Sequence, residues 1–305
     1  MRFRECSAQR WLGCRTAQLF TAGCHSGQDL ASAIASVVSV TETADPAFET
    51  ATAHSLPGDL VDRYHRDGYL HVRNVVDPAE LAEFLADART QLDRQHTVDW
   101  GAEGGNVMDW VVEPERNSEP MRRLALHPGI TGIAERLAGR PLRLYKSELL
   151  RKAASGSAPT PLHADDPAFP LEADPVTLTA WVALVDVPVE RGCMTFVAGA
   201  HRWPDGVIPQ FQDPFAANPE ARWAPRVTVP IRAGDCTFHS SRLIHSAGAN
   251  TTDIARISLA TVYMDAAAIY RPNPDITYYD PIPDREPGQV LDSDRYPLAG
   301  SASPR

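Results

Sequence analysis

"DCTFHSSRLIHSAGANTTDIARISLATVYM", residues 235–264, decides the fold. Two runs rich in Thr, Ile, Val, Phe and Tyr flank a Gly/Asn/Thr turn, and such residues suit a half-buried pleated surface. Further short candidate strands lie upstream in "LRLYKSELLRK" (142–152), "VTLTAWVALVDVPV" (176–189), "CMTFVAGA" (193–200) and "RVTVPIRA" (226–233). Short strands punctuated by "RGC" and "RAGD" predict an antiparallel sandwich or barrel, not a parallel sheet. We read a mainly β chain: a double-stranded β-helix, or jelly roll, buttressed by N-terminal helices.

Those helices are written in the segment before Pro141. "PGDLVDRYHRDG" reads as a short helix from Asp59, stopped by Gly68 in the left-handed cap position. Residues Tyr69 to Val76 alternate as a strand. "DPAELAEFLADARTQLDRQ" has Asp77 as N-cap and Leu81, Phe84, Leu85, Ala88 and Leu92 on one face. A further helix is expected over Pro120–Ala138. Residues 1 to about 55 have no sustained period and read as an extension, leaving 56–305 as one domain.

Composition narrows the function. The chain has 305 residues, 43% of them hydrophobic, and a formal charge of -10. Its only lysines are Lys146 and Lys152. That balance argues against a nucleic-acid or anionic-membrane surface and leaves a small molecule as the expected partner; oligomeric state is not legible. The apolar run near Val176–Val185 is about half of the roughly 20 residues a spanning helix needs. Arg15 and Gln18 interrupt every candidate secretion signal. Five cysteines, an odd number with no C-x-x-C, indicate neither a disulfide framework nor a zinc knuckle, and a reducing cytoplasm fits. Cys193 and Cys236 read as small apolar fillers. There is no G-x-S-x-G elbow, phosphate-binding loop or dinucleotide turn.

Two H-x-D trigrams remain. His65 and Asp67 close a helix, where positions i and i+2 point apart, so that pair reads as structural. His163 and Asp165, in "PTPLHADDPAFP", lie at a strand edge where i and i+2 share a face, so imidazole and carboxylate can converge on a metal. Asp166 reads as a turn-forming neighbour. The third donor comes from "FHSSRLIHSAGAN", either His245 or, six residues earlier, His239. A chain reversal midway between Asn250 and Thr251 would set His245 opposite Arg256, with Cβ atoms about 4.5–5.5 Å apart. Two imidazoles and one carboxylate leave iron three open positions. A keto acid chelating two of them needs a cation beyond, which Arg256 would supply.

Residues 56–298 resemble the phytanoyl-CoA dioxygenase family of Fe(II)/2-oxoglutarate oxygenases. The matching elements are "DGYLHVRNVVDPAEL", "LHAD", "AWVALVDVPVERGCMTFVAGAHR", "RAGDCTFHSSRLIHSAGANTTDIARISLATVY" and "GQVLDSDRYPLAG". The resemblance implies His163, Asp165 and His245 as iron ligands, Arg256 as the 2-oxoglutarate clamp and Trp181 as a border of the cofactor pocket. Trp181 also reads as plain core filler. Fe(II), 2-oxoglutarate and O2 are the implied cofactor and cosubstrates, with succinate and CO2 released as a substrate C–H is oxidised. Asp165 favours hydroxylation over the halogenation of relatives that lack this carboxylate. Ala164, where glutamine is frequent, and Ser246 depart from the family pattern.

Residues 202–226, rich in aromatics and prolines, are expected to form a lid, and 99–117 the opposite wall. Lys146 and Glu148 share a strand face close to the site, which offers them as pocket lining, although a lone polar pair on an edge strand is more often surface. With so few lysines, coenzyme A is disfavoured and a free small molecule of specialised metabolism preferred. The competing readings are an acyl-CoA hydroxylase, a cupin-like isomerase without a cosubstrate, and a non-catalytic binding module.

Overall fold

The first helix, α1 (Gly58–Asp67), ends where the sequence stops it: Gly68 takes φ 83° and its N–H donates to the Tyr64 carbonyl at 2.7 Å. A Cβ there would also lie 2.3 Å from the His201 ring, so the position needs glycine twice over. Strand β1 (Tyr69–Val72) is shorter than expected. Asn74 turns to φ 51°, a conformation asparagine tolerates, and its N–H is held by Asp235 Oδ1 at 2.9 Å. Asp77 Oδ1 accepts from Ala79 N at 2.8 Å at the start of α2 (Pro78–Arg94), which buries Phe84, Ala88 and Leu92.

The single helix expected over 120–138 is two, α3 (Glu119–Ala125) and α4 (Pro128–Ala138). Pro128 forces the residue before it out of the helical region. His127 is accordingly extended, and its ring accepts from Gly129 N as the cap of α4.

Eleven strands form two sheets among the described residues. The seven-stranded sheet runs β1, β9 (Cys236–Ser240), β6 (Thr177–Ala183), β11 (Arg256–Asp265), β4 (Leu142–Lys152), β3 (Gly105–Val112), β2 (Val98–Ala102). The four-stranded sheet runs β5 (Thr160–His163), β10 (His245–Ala247), β7 (Met194–Val197), β8 (Arg226–Val229). Among the described residues every strand pairing is antiparallel, and no cis peptide bond occurs. Two antiparallel sheets with helices packed on the larger one are the jelly-roll architecture read from the sequence.

The computed structural model describes residues 56–94, 98–102, 105–172, 177–203, 215, 219–272 and 284–301. All of them belong to one unit, Pro46–Arg305. The extension expected over 1–55 lies outside them. So does most of the expected lid; of its described residues, none lines the cavity described below. No described helix is long and apolar enough to cross a membrane. Cys193 and Cys236 are buried free thiols, as expected of fillers.

The larger sheet has two different faces. Leu70, Val72, Leu149, Leu178, Ala180, Val182, Phe238, Leu259 and Tyr263 pack on the helices as one apolar cluster. The alternate residues, among them Trp181, Ala183, Leu150 and Ala260, face the smaller sheet with Phe196, Val197 and Ala247. In β4 the register slips opposite Val262/Tyr263, so Lys146 pairs with Val262 while Leu144 pairs with Tyr263. The extra residue, Tyr145, thereby joins a third cluster with Phe169, Met264, Tyr270 and Tyr296.

Candidate metal centre and cosubstrate pocket

Between the sheets lies a cavity of about 400 Å³. His163 ends β5 and His245 begins β10; the two are direct cross-strand partners, with ring centroids 4.2 Å apart. Each imidazole is oriented by its own backbone. His163 Nδ1 is 2.8 Å from the Pro161 carbonyl, and His245 Nδ1 is 2.9 Å from the Leu243 carbonyl. A carbonyl can only accept, so each Nδ1 carries the proton and each Nε2 presents its lone pair. Both lone pairs face Asp165 Oδ1, at 3.6 Å from His163 and 3.7 Å from His245. One donor atom from each of the three side chains lies within 4.8 Å of the others.

The route by which Asp165 arrives differs from the expectation. Strand β5 stops at His163, and Asp165 has helical angles, φ -78° and ψ -36°, at the start of a 3-10 turn over Asp166–Ala168. Two residues on one strand face therefore do not explain the pair. The turn is pinned instead by the Ser241 carbonyl, which accepts from the N–H groups of both Asp165 and Asp166 at 2.9 Å. Thr179 on β6 then donates to Asp165 Oδ2 at 3.0 Å.

Arg256 lines the same cavity as these three residues, by a geometry other than the expected one. It is not the hairpin partner of His245: it pairs with Lys152, whereas His245 pairs with Phe196 and His163 in the other sheet. The two residues face one cavity from opposite sheets. Local turn spacing suggests a hairpin, but "DCTFHSSRLIHSA" bends after Ser240, so β9 and β10 join different sheets.

The Arg256 guanidinium is 1% exposed, stacks over Trp181 at 5.4 Å and donates from Nη1 to the Gly192 carbonyl at 3.0 Å. Its Nε has no hydrogen-bond partner. Burial lowers its pKa to about 10, which still leaves it cationic at neutral pH. A Cβ on Gly192 would lie 2.5 Å from the Gly248 carbonyl, so the close chain approach behind this carbonyl requires glycine. Lys152, opposite Arg256, is wholly buried and donates to the carbonyls of Val107 and Ala158. Burial, aided by Arg256, lowers its pKa to about 7.

Burial opposes ionisation of Asp165, but His245, His239 and His163 overcome it and hold the carboxyl well below its usual range. Burial, with His245, holds His163 down to about 4, so its imidazole is neutral at pH 7. Burial likewise lowers His245. Two neutral imidazoles and one carboxylate are a donor set for a divalent first-row metal. A buried guanidinium with unspent donors in the same cavity fits a carboxylate. The residues present therefore fit both an iron and a keto acid.

Trp181 is both core and cavity wall. Met108, Trp110 and Val112, from the segment expected to supply a wall, line the cavity. Lys146 and Glu148 correct the surface reading: they line the cavity as an ion pair at 2.8 Å, with Lys146 5% exposed. Strand period assigned them a common face but could not say that the face was covered. His65 and Asp67 stay at the helix end, where Asp67 pairs with Arg66. His239 does reach the centre, 1% exposed, with Nε2 3.5 Å from Asp165 Oδ2.

Residues 64–258 match the family model described as phytanoyl-CoA dioxygenase. The rat peroxisomal phytanoyl-CoA dioxygenase is 24% identical over 227 residues, which span 66% of each chain. Dioxygenase lolE1 of Epichloe uncinata is 24% identical over 70% of this chain and 86% of its own. Among solved structures, SnoN, a non-heme alpha ketoglutarate dependent epimerase from nogalamycin biosynthesis, is 50% identical, with TM-score 0.71 over 79% of this chain and 97% of its own. SnoK, a non-heme alpha ketoglutarate dependent carbocyclase from the same biosynthesis, is 39% identical, with TM-score 0.77 over 82% and 99%. A match over more than half its length assigns the chain to the phytanoyl-CoA dioxygenase family, and its enzyme class is that of the non-haem iron, 2-oxoglutarate-dependent oxygenases.

Proposed function

We propose that the protein binds Fe(II) through His163, Asp165 and His245 and couples 2-oxoglutarate decarboxylation to oxidation of a C–H bond in a small, largely apolar natural product. The observation that carries this reading is the convergence of His163 Nε2, His245 Nε2 and Asp165 Oδ1 in a cavity that also holds a buried arginine with spare donors. Bound iron with 2-oxoglutarate and O2 would supply the oxidising chemistry. The chain's own residues bind, orient and exclude water. Arg256 grips the far carboxylate of the keto acid, and Trp181 supports the guanidinium face.

The substrate side of the cavity supports the choice of partner. Met108, Trp110, Val112, Phe169 and Val262 make it apolar and aromatic, and Lys146 with Glu148 add one donor and one acceptor of no net charge. That wall suits a flat hydrophobic body bearing hydroxyl or carbonyl groups better than the phosphates of coenzyme A. SnoN has been solved with Fe3+, alpha ketoglutarate and nogalamycin RO, which supports a nogalamycin-type natural product as the first substrate to test. One neighbour is an epimerase and the other a carbocyclase, which supports an outcome set by the substrate's pose.

The test is an anaerobic titration with Fe(II) and 2-oxoglutarate, followed by O2 and assay of succinate. A weak visible charge-transfer band and substrate-stimulated succinate are expected. Absence of the band would sink the reading.

A further inference from the structure

We infer that His239 is a positioning residue for Asp165, clamping the carboxylate oxygen that turns away from the metal; the inference rests on the metal reading above. The two oxygens of Asp165 have separate surroundings. Oδ1 faces the Nε2 atoms of His163 and His245. Oδ2 meets Thr179 Oγ1 at 3.0 Å and His239 Nε2 at 3.5 Å. Thr179 and His239 are direct cross-strand partners on β6 and β9, so adjacent strands aim two donors at one oxygen.

The chemistry of the pair fixes the direction. His163 and His245 keep their protons on Nδ1 for backbone carbonyls, but no carbonyl holds a proton on His239 Nδ1. Its proton is therefore free to sit on Nε2, where the ionised carboxylate, which only accepts, can take it as a hydrogen bond. His239 thus differs from His163 and His245, whose protons sit on Nδ1 and whose Nε2 atoms are bare. Neither nitrogen of His239 has a hydrogen-bond partner, although the side chain is 1% exposed. An imidazole so buried costs stability unless a polar contact repays it, and Asp165 Oδ2 is the acceptor within reach. Phe196, at 5.4 Å between centroids, and His245, at 4.7 Å, pack on the ring and hold its plane. Closing the Nε2 contact to an ordinary hydrogen bond takes about half an ångström of movement.

Two donors on Oδ2 leave Oδ1 as the oxygen presented to a metal. This is the outer-shell work through which a residue that never touches the ion sets its affinity.

The experiment uses the full chain and Fe(II) alone, without 2-oxoglutarate, titrated anaerobically against a competing chelator. Five proteins are compared: unaltered, His239→Leu, His239→Gln, Thr179→Val and His245→Leu, with melting temperatures measured alongside. His239→Leu is expected to weaken Fe(II) binding about 10- to 100-fold, and His239→Gln, whose amide N–H reaches where Nε2 does, to recover to within about threefold. Thr179→Val is expected to fall between. If His239→Leu does not fold, the Gln and Val variants still decide. Fe(II) affinity unchanged in His239→Leu overturns the inference, as does a glutamine variant no better than leucine. Complete loss of the site in His239→Leu, with binding retained in His245→Leu, would make His239 a ligand instead and also overturn it. Failure of the unaltered protein to bind Fe(II) would remove the metal reading, and the inference with it.

Discussion

The two faces of the seven-stranded sheet are woven from the same strands and do opposite things. On β11, Ile257, Leu259 and Tyr263 pack on the helices, while Arg256, Ala260 and Val262 line the cavity. On β6, Leu178, Ala180 and Val182 take the helix side, and Thr179 and Trp181 the cavity side. On β9 the same division separates Phe238 from His239. Alternation is a property of the extended backbone and fixes which residues travel together. What each set does depends on what covers it. The helix face is closed by apolar side chains that fill space. The cavity face keeps an arginine and a histidine buried with donors unspent, which a fold tolerates only where something else completes them.

If this division is real, substitutions one residue apart should separate activity from stability. The largest effect is expected from Asp165→Ala, His163→Ala or His245→Ala. Each should reduce succinate formation to background while the melting transition remains cooperative. Turnover retained by any one of them would break the comparison at its centre. Next, Arg256→Ala removes one partner of a proposed buried ion pair. It should cost about 2–5 kcal/mol of 2-oxoglutarate binding, roughly 30-fold to several thousandfold in the concentration required. Fe(II) binding without the keto acid should be unchanged. Equal loss of both would mean that Arg256 supports the fold and not the cosubstrate.

On the opposite face, Leu259→Ala empties a fully buried position and should cost about 2–4 kcal/mol of unfolding free energy. Urea denaturation measures this. Fe(II) affinity and the KM for 2-oxoglutarate should stay at the values of the unaltered protein. A variant equally stable but catalytically impaired would show that the faces are not independent.

The sequence carried the strands more faithfully than their partners. β4 begins and ends where "LRLYKSELLRK" does, although that run holds no β-branched residue, because the Gly/Pro and small-residue stretches that bound it are local signals. Pairing is not local. His245 and Arg256 were expected side by side and instead face each other across the sandwich. A turn of suitable length permits a hairpin without requiring one. The break between α3 and α4 was written in Pro128 and its effect on His127, a signal that helical periodicity alone passes over. His239 was visible at an even spacing from His245, but nothing in that spacing reveals a carboxylate delivered by a distant turn. Lys146 and Glu148 read as surface in preference to pocket lining for the complementary reason: their shared face is legible, and the sheet that covers it is not.

The smallest effect is expected on the helix face from Tyr263→Phe. The Tyr263 hydroxyl is fully buried and donates at 2.7 Å to the carbonyl of Ala125, in the last turn of α3, where helix carbonyls lack intrahelical partners. Removing one oxygen leaves that acceptor buried and unpaired, at a cost of about 1–2 kcal/mol. Burial raises the Tyr263 pKa well above 10, so the folded protein keeps this proton where an unfolded chain, with an ordinary pKa of about 10, loses it. The contribution is therefore fully present below about pH 10 and fades as pH rises towards the folded-state value. The stability gap between the unaltered protein and Tyr263→Phe should be flat from neutral pH to about pH 9 and narrow above it. Iron affinity and succinate yield should not follow it at any pH. Val262, the preceding residue, lines the cavity, so a catalytic change in Tyr263→Phe would mean that β11 transmits displacement from one face to the other.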